Sequence, residues 1–158
     1  WSLPWRPIAK FIHHQWWKAI ASDYFKRKAV PNGFRLWRTI PFSGELRGSQ
    51  QWHRDEQTGY DEPRPIFKVF LNLNYIIYSN GPFQYLRGTH SHSQGPYRHV
   101  FRPGERLMNN EVFNVIPHSH QTSNAGPAGL LTFADTSGIH CGGRCVEGYR
   151  DTLMVQFR

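Results

Sequence analysis

The chain has 158 residues and a formal net charge of +8, with 19 Lys and Arg against 11 Asp and Glu. A chain of this length buries one hydrophobic core and leaves little for a second, so we expect a single domain over residues 1–158. No segment approaches the roughly 18 consecutive apolar residues of a membrane span, and no cleavable signal pattern is present, so the sequence predicts a soluble protein without a membrane span.

The net charge and the cysteine content limit the classes of partner and the cellular compartment that we expect. A basic surface suits nucleic acid, anionic lipid or an acidic small substrate such as a phosphate or coenzyme A ester, and it equally suits an ordinary solvated surface. Cys141 and Cys145 are the only cysteines, too few for a disulfide framework. We therefore expect reduced, structural thiols in a reducing compartment, which predicts a cytoplasmic location.

The predicted elements are one helix followed by short strands. Apolar residues recur at three- and four-residue steps from about Pro7 to Ala29, which predicts a helix that packs its aromatic stripe against a sheet. After Gly33, short alternating apolar runs separated by Gly, Pro, Asn and Ser are typical of a β-sandwich or barrel. The predicted strands lie at 34–40, 66–78 (one strand or two), 83–87, 112–116, 129–133 and 152–157, with loops at 60–65 and 91–110. The fold class is therefore mainly β with an N-terminal packing helix.

The strand at 66–78 has one polar and one apolar face. Asn72 and Asn74 share a face, and the other carries only apolar side chains. A wet face inside a barrel indicates a ligand cavity, so Asn72 is a candidate cofactor-binding residue.

Three dispersed residues form a candidate catalytic and metal-binding set: His53, Asp55 and His140. Positions i and i+2 of a strand point to the same face, so His53 and Asp55 can hold one metal from neighbouring positions. His140 follows His53 by 87 residues, after an apolar run and a small-residue turn, which leaves room for several strands to bring it back. Two histidines and one carboxylate leave three positions of an octahedral metal open, as in non-haem Fe(II) oxygenases.

Arg150 follows the last of these candidate ligands by ten residues. A guanidinium fork matches a carboxylate in bidentate fashion, so an arginine one strand beyond His140 is suited to hold the distal carboxylate of 2-oxoglutarate. The sequence therefore predicts an enzyme that uses Fe(II), with 2-oxoglutarate as co-substrate.

The chain from about Phe34 to Phe157 resembles the phytanoyl-CoA dioxygenase-like branch of the Fe(II)/2-oxoglutarate oxygenases. The resemblance rests on Gln51-Trp52-His53-Arg54-Asp55, on Asn80-Gly81-Pro82-Phe83-Gln84-Tyr85-Leu86-Arg87-Gly88-Thr89-His90, and on the block 128–150. Arg87 and Thr89 stand where the family commonly has Pro and Ser. The chain is also shorter than most members and begins at Trp1 without a methionine, so we expect a fragment or a chain that lacks loops.

The resemblance implies a double-stranded β-helix (jelly roll, cupin-like) in which His53, Asp55 and His140 bind Fe(II) and Arg150 pairs with 2-oxoglutarate. Thr152, two residues further along the same strand face, could add a hydroxyl beside Arg150. The implied activity is that of a dioxygenase using O2, which hydroxylates a small organic or lipid-like substrate and releases succinate and CO2. Family members that halogenate replace the carboxylate ligand by a small residue, and Asp55 retains it. Desaturation, cyclisation or epimerisation would use the same residues.

Two alternatives remain open from the sequence. An AlkB-like nucleic-acid demethylase is suggested by the basic charge and by Arg144 and Arg150, although the spacing from His140 to Arg144 is short for that family. A non-catalytic β-helix binding module is the other, although such modules typically lack a ligand and all three are present here. Nucleic acid is thus a less favoured partner than a small, anionic substrate, and the oligomeric state is open.

Two further groups of charged residues have simpler interpretations. His118-Ser119-His120 could hold zinc, but no third ligand lies nearby, and an exposed polar turn is favoured. Arg98, Arg102 and Arg106 recur every four residues, which could line a short helix and meet an anionic substrate, or form a solvated face.

Overall fold

The computed structural model describes residues 5–55 and 63–158. Within them the helices are α1 (Trp5–Ile12), α2 (Gln15–Phe25) and α3 (Asn109–Phe113). The strands are β1 (Pro31–Thr39), β2 (Phe67–Asn72), β3 (Phe83–Leu86), β4 (Gln121–Ser123), β5 (Leu131–Asp135), β6 (His140–Gly142) and β7 (Arg150–Phe157). None of the described helices has the length and apolar character to cross a membrane.

The first sheet has the strand order β1-β7-β2-β5, and all its neighbours are antiparallel. Alternation along β2 divides its side chains between two faces. Phe67 and Val69 lie on the face covered by α2 and are buried against Trp17 and Ala21. Lys68 and Phe70 point to the opposite face, where they line a cavity. The helical layer thus closes one face of the sheet and leaves the other for the site.

The second sheet has the order β4-β3-β6. Single bridges from Trp52 to Leu107 and from His53 to His140 extend it beyond β6. The two sheets meet through Phe70 of β2 and Phe83 of β3, whose rings stack at 4.6 Å between centroids. This arrangement is the double-stranded β-helix, so the predicted fold class is confirmed.

The single helix predicted from about Pro7 to Ala29 is two helices. α1 ends at Ile12, and α2 begins after His14, whose extended backbone and ring nitrogen cap the new helix by accepting a hydrogen bond from the Trp16 N–H at 3.3 Å. α2 stops at Lys26, whose left-handed conformation (φ 54°) forms the C-cap well before Pro31.

The strand predictions need correction at three points. The sequence predicts a strand at 112–116, but these residues lie in α3 and directly after it. Val112 and Ile116 are four residues apart and both buried, and this spacing places two side chains on the same side of a helix just as it does in a strand. The strand predicted at 66–78 ends at Asn72, so Asn74 lies outside it. β4 and β6, with only three residues each, were not predicted.

The predicted loops agree with the described structure except at the end of the one predicted at 91–110, where Leu107 forms a bridge to Trp52 and α3 begins at Asn109. Residues 91–106 have turns but no regular element, and residues 63–65 of the loop predicted at 60–65 are irregular. Residues 60–62 of that loop lie outside the described residues. Arg98, Arg102 and Arg106 therefore do not share a helix.

Candidate metal centre

The structure brings His53, Asp55 and His140 together. Within the described residues they form the one group of three potential metal ligands whose donor atoms all lie within 4.8 Å of one another. His53 and His140 face each other across an antiparallel bridge with two backbone hydrogen bonds of 2.9 Å, which is how residues distant in sequence come together. The Asp55 N–H donates to the Thr136 carbonyl at 2.9 Å, which fixes the carboxylate beside both rings.

Both imidazole rings are oriented by their Nδ1 atoms. Nδ1 of His53 lies 2.8 Å from the Gln51 carbonyl, and Nδ1 of His140 lies 2.9 Å from the Gly138 carbonyl. Since a carbonyl can only accept, each Nδ1 carries the proton and each Nε2 keeps its lone pair. Both Nε2 atoms lie 3.8 Å from Asp55 Oδ1. Two lone pairs and one carboxylate oxygen therefore converge on one point.

The charge states also suit metal binding. Burial lowers the pKa of His53 and of His140 below the usual value, so both rings are neutral at pH 7. Burial alone would raise the pKa of Asp55, but the neighbouring His140 and Lys68 outweigh it and lower that pKa. The site thus presents neutral imidazoles and an ionised carboxylate, the forms that coordinate metals.

Lys68 is a part of this site that sequence reasoning missed. Its ammonium group forms a short ion pair with Oδ2 of Asp55, while Oδ1 faces the histidines. The signal was available in the alternation of β2, because Lys68 has the same parity as Asn72 and therefore shares the face that was expected to be wet.

A cavity of about 960 Å³ opens on the three residues; we call it the Arg150 cavity. It is lined by His53, Asp55 and His140, by Arg150 and Thr152 of β7, and by the stacked rings of Phe70 and Phe83.

Arg150 is buried in this cavity without an acidic partner among the described residues. Its side chain donates to Thr39 Oγ1 at 3.2 Å through Nη2, while Nε and Nη1 have no partner. Burial lowers its pKa to about 10, so the guanidinium remains charged at neutral pH. A Cβ at Gly142 would lie 3.3 Å from Nη2, so the glycine leaves room for the group. A buried cation with unused donors fits an anionic ligand.

Thr152 and Asn72 lie opposite each other on β7 and β2. The Thr152 hydroxyl is buried in the Arg150 cavity without a partner among the described residues, so it is available to a ligand. The side chain of Asn72 instead donates to the Asn124 carbonyl at 2.9 Å and accepts from the Asn124 amide at 3.3 Å. Asn72 is not among the residues that line the Arg150 cavity, and its visible contacts hold the chain at Asn124.

Arg54 lies between two of the proposed ligands and points away from them. It is 1% exposed, and among the described residues its guanidinium donates to backbone carbonyls, most of them from the irregular segment 91–106 or its edges. The acceptors are the carbonyls of Thr89, Tyr97, Arg98, Val100, Phe101 and Ser137. Arg54 thereby fastens the His53-to-Asp55 segment to the loop outside it.

His118 and His120 lie apart from this centre. They form a short 3-10 turn in which the His118 ring stacks on Phe113 at 3.7 Å. Cys141 and Cys145 are buried free thiols, and burial raises the pKa of Cys141 to about 12.

The donor set fits a single metal ion. Donor atoms bound at about 2.1 Å and at right angles to one another lie about 3.0 Å apart. A contraction of under about 1 Å brings Asp55 Oδ1 to this spacing from each Nε2, and the donor atoms of the two histidines lie within 4.8 Å of each other. The fold and the site together define a class: a cupin-like β-helix with a two-histidine, one-carboxylate centre.

Solved structures share this fold, although no protein-family model and no curated protein matches the sequence. EctD from S. alaskensis, in a structure with 2-oxoglutarate and 5-hydroxyectoine, has a TM-score of 0.70 at 16% identity over 95% of this chain and 51% of that one. The non-heme monooxygenase ThoJ gives 0.63 at 19% identity over 94% of this chain and 54% of that one. SnoN, a non-heme alpha ketoglutarate dependent epimerase from nogalamycin biosynthesis, gives 0.64 at 14% identity over 95% and 57%.

This chain spans little more than half the length of these three proteins. At such identities the likeness establishes the fold.

Proposed function

We propose that this protein is a non-haem Fe(II)- and 2-oxoglutarate-dependent dioxygenase that oxidises a small organic or lipid-like substrate. The observation that carries the proposal is one cavity that holds both the convergent donors of His53, Asp55 and His140 and the buried, unpaired guanidinium of Arg150. Structural neighbours whose names include a non-heme monooxygenase and an alpha ketoglutarate dependent epimerase support it.

In this proposal the three ligands occupy one side of the metal. His53 and His140 each supply Nε2, because Nδ1 of each ring donates to a backbone carbonyl. Asp55 supplies Oδ1, and Lys68 holds Oδ2 of the same carboxylate, which favours coordination through one oxygen. The remaining positions face the cavity.

Arg150 positions the co-substrate. The guanidinium would donate to the distal carboxylate of 2-oxoglutarate in bidentate fashion, through Nη2 together with Nε or Nη1, while the second N–H of Nη2 stays on Thr39 and keeps the fork oriented. The Thr152 hydroxyl is a further donor on the same strand face. Phe70 and Phe83 give the site an apolar wall that keeps water away from it.

When bound, iron, 2-oxoglutarate and O2 supply the oxidation, in which 2-oxoglutarate is converted to succinate and CO2. Hydroxylation is the proposed outcome, because Asp55 fills the ligand position that halogenating enzymes leave small. We also propose membership of the phytanoyl-CoA dioxygenase-like branch, a single domain and a cytoplasmic location.

The test measures succinate formed from 2-oxoglutarate by protein loaded anaerobically with Fe(II), after O2 is admitted. We expect turnover in the wild type and in His118→Ala, whose histidine is exposed and outside the cavity, and none in His140→Ala. Equal turnover in His140→Ala and wild type would contradict the proposal. A wild type that binds neither Mn(II) nor 2-oxoglutarate would also contradict it.

A further inference from the structure

A second cavity of about 910 Å³ reaches the proposed metal centre from another side. It shares Arg35, Asp55, Lys68 and Met154 with the Arg150 cavity. Asp55 is thus accessible from both spaces, and a molecule in the second cavity would end beside the metal that Asp55 is proposed to hold. A volume of this size is ordinary for a small-molecule site.

The second cavity is strongly basic, and we call it the basic cavity. Its described lining contains one carboxylate, that of Asp55, and this carboxylate is already paired with Lys68. Its cationic lining residues are Arg27, Arg35, Arg64, Lys68, Arg106 and Arg158.

Three of the arginines have no acidic partner among the residues that the structure describes: Arg27, Arg35 and Arg106. Arg27 lies over the Phe25 ring at 5.6 Å, and Arg106 donates to the carbonyls of Gly104 and Glu105, both at 3.4 Å. The Arg150 cavity also contains an unpaired cation, Arg150 itself, but its exposed Arg38 makes two hydrogen bonds, of 2.8 and 2.7 Å, to Asp151. An arginine paired in this way is neutralised, whereas the described lining of the basic cavity keeps an excess of positive charge.

Backbone hydrogen bonds fix the main-chain positions from which two of these arginines extend. Leu107, the residue after Arg106, exchanges hydrogen bonds of 3.0 and 2.9 Å with Trp52, the residue before His53. Arg158 exchanges hydrogen bonds of 3.2 and 3.0 Å with Val30, which holds the end of β7 at the mouth of the cavity.

We infer that the basic cavity binds the primary substrate through an anionic group, and that this substrate is a small organic molecule with two or more negative charges. A phosphate ester or a polycarboxylate has this chemistry. Arginine forks would hold the anionic group at the outer end, and the carbon to be oxidised would lie near Asp55. The inference rests on the proposed function for the oxidation, but binding in the basic cavity is a separate event from 2-oxoglutarate binding to Arg150.

The test is a calorimetric titration of metal-free protein with inorganic pyrophosphate and with citrate, as probes of phosphate and carboxylate groups. The double variant Arg27→Gln/Arg106→Gln removes two charges that line only the basic cavity. Lys28→Gln/Arg102→Gln removes two exposed charges that line neither cavity, and is the matched control. We expect at least one probe to bind, with a loss of about tenfold in the first variant and under about twofold in the control.

Arg150→Met separates this inference from the proposed function. The inference predicts that Arg150→Met binds the probe normally, whereas the proposed function predicts that it loses 2-oxoglutarate in the presence of Mn(II). Loss of probe binding in Arg150→Met but not in Arg27→Gln/Arg106→Gln would overturn the inference, as would equal losses in the double variant and its control or no binding of either probe. Tighter binding of a single-stranded oligonucleotide, sensitive to the same arginines, would also overturn it in favour of a nucleic-acid substrate.

Discussion

Replacement of Arg150 by methionine should affect stability and ligand binding in opposite directions. In the metal-free protein the guanidinium is buried, and neither Nε nor Nη1 has a partner among the described residues. Replacing an uncompensated buried charge with an apolar side chain of similar volume is commonly neutral or stabilising, by about 1–4 kcal/mol. For a chain of this size a gain of about 1 kcal/mol raises the melting temperature by about 2–4 °C.

The effect on 2-oxoglutarate should be the reverse. A bidentate pair of charge-assisted hydrogen bonds from the Arg150 guanidinium contributes about 3–4 kcal/mol, so the variant should bind 2-oxoglutarate at least about 100-fold more weakly. At 2-oxoglutarate concentrations 100 times the wild-type dissociation constant, the ligand stabilises the wild type by about 2.7 kcal/mol, and this increment should fall to about 0.4 kcal/mol or less in the variant.

Thermal unfolding with and without 2-oxoglutarate, in the presence of Mn(II), measures both effects in one experiment. Arg38→Met is the control, because Arg38 lines the same cavity but is paired with Asp151; its 2-oxoglutarate affinity should change less than about twofold. A variant Arg150→Met that is several degrees less stable than wild type and still binds 2-oxoglutarate normally would refute the reasoning, since Arg150 would then be a structural residue.

Three further predictions follow from the site. Burial lowers the pKa of His53 and His140, so below about pH 6.5 the unfolded chain binds more protons than the folded one. The metal-free protein should therefore lose stability as the pH falls, by up to about 1.4 kcal/mol per histidine per pH unit. Urea unfolding should show a shallower pH dependence of stability in His140→Gln than in wild type, and an unchanged slope would argue against this explanation. Arg54→Met should lower the free energy of unfolding, measured in urea, by about 3 kcal/mol or more, because several buried carbonyls lose their donor. The exposed Arg102→Met is the control and should be near neutral. A decrease of under about 1 kcal/mol in Arg54→Met would contradict this reasoning. Gly138→Ala places a Cβ 2.0 Å from the Tyr85 hydroxyl and 3.0 Å from Thr89 Oγ1, so the turn before His140 should shift and the Mn(II) affinity should fall. The additional change Tyr85→Phe should restore part of that affinity. An unchanged Mn(II) affinity in Gly138→Ala would show that the turn adapts.

The sequence predicted the candidate ligands because their chemistry is restrictive. A carboxylate two residues after His53, a later histidine and an arginine one strand further on leave few alternatives, and the structure brings all four into one cavity. The alternation of β2 likewise predicted an apolar face, which packs on α2, and a polar one.

Features that depend on tertiary contacts could not be predicted in the same way. Val112 and Ile116 fit a short strand and a helix equally well, and burial against the second sheet decides for the helix. The break between α1 and α2 depends on one hydrogen bond to the ring of His14, which is not a usual capping residue. Arg106 was seen only as a member of a regularly spaced set, and its place in the basic cavity follows from the pairing of Leu107 with Trp52.

The anchoring of Arg54 has a consequence for how this protein can change over time. The acceptors of its guanidinium in the described part of the chain are main-chain oxygens, so the interaction depends on the path of residues 97–101 and not on which side chains they carry. Exposed positions such as His99 can therefore be exchanged freely while the loop keeps its course and the segment from His53 to Asp55 keeps its attachment. Arg54 therefore lets the outer surface of this loop vary without disturbing the chemistry beneath it.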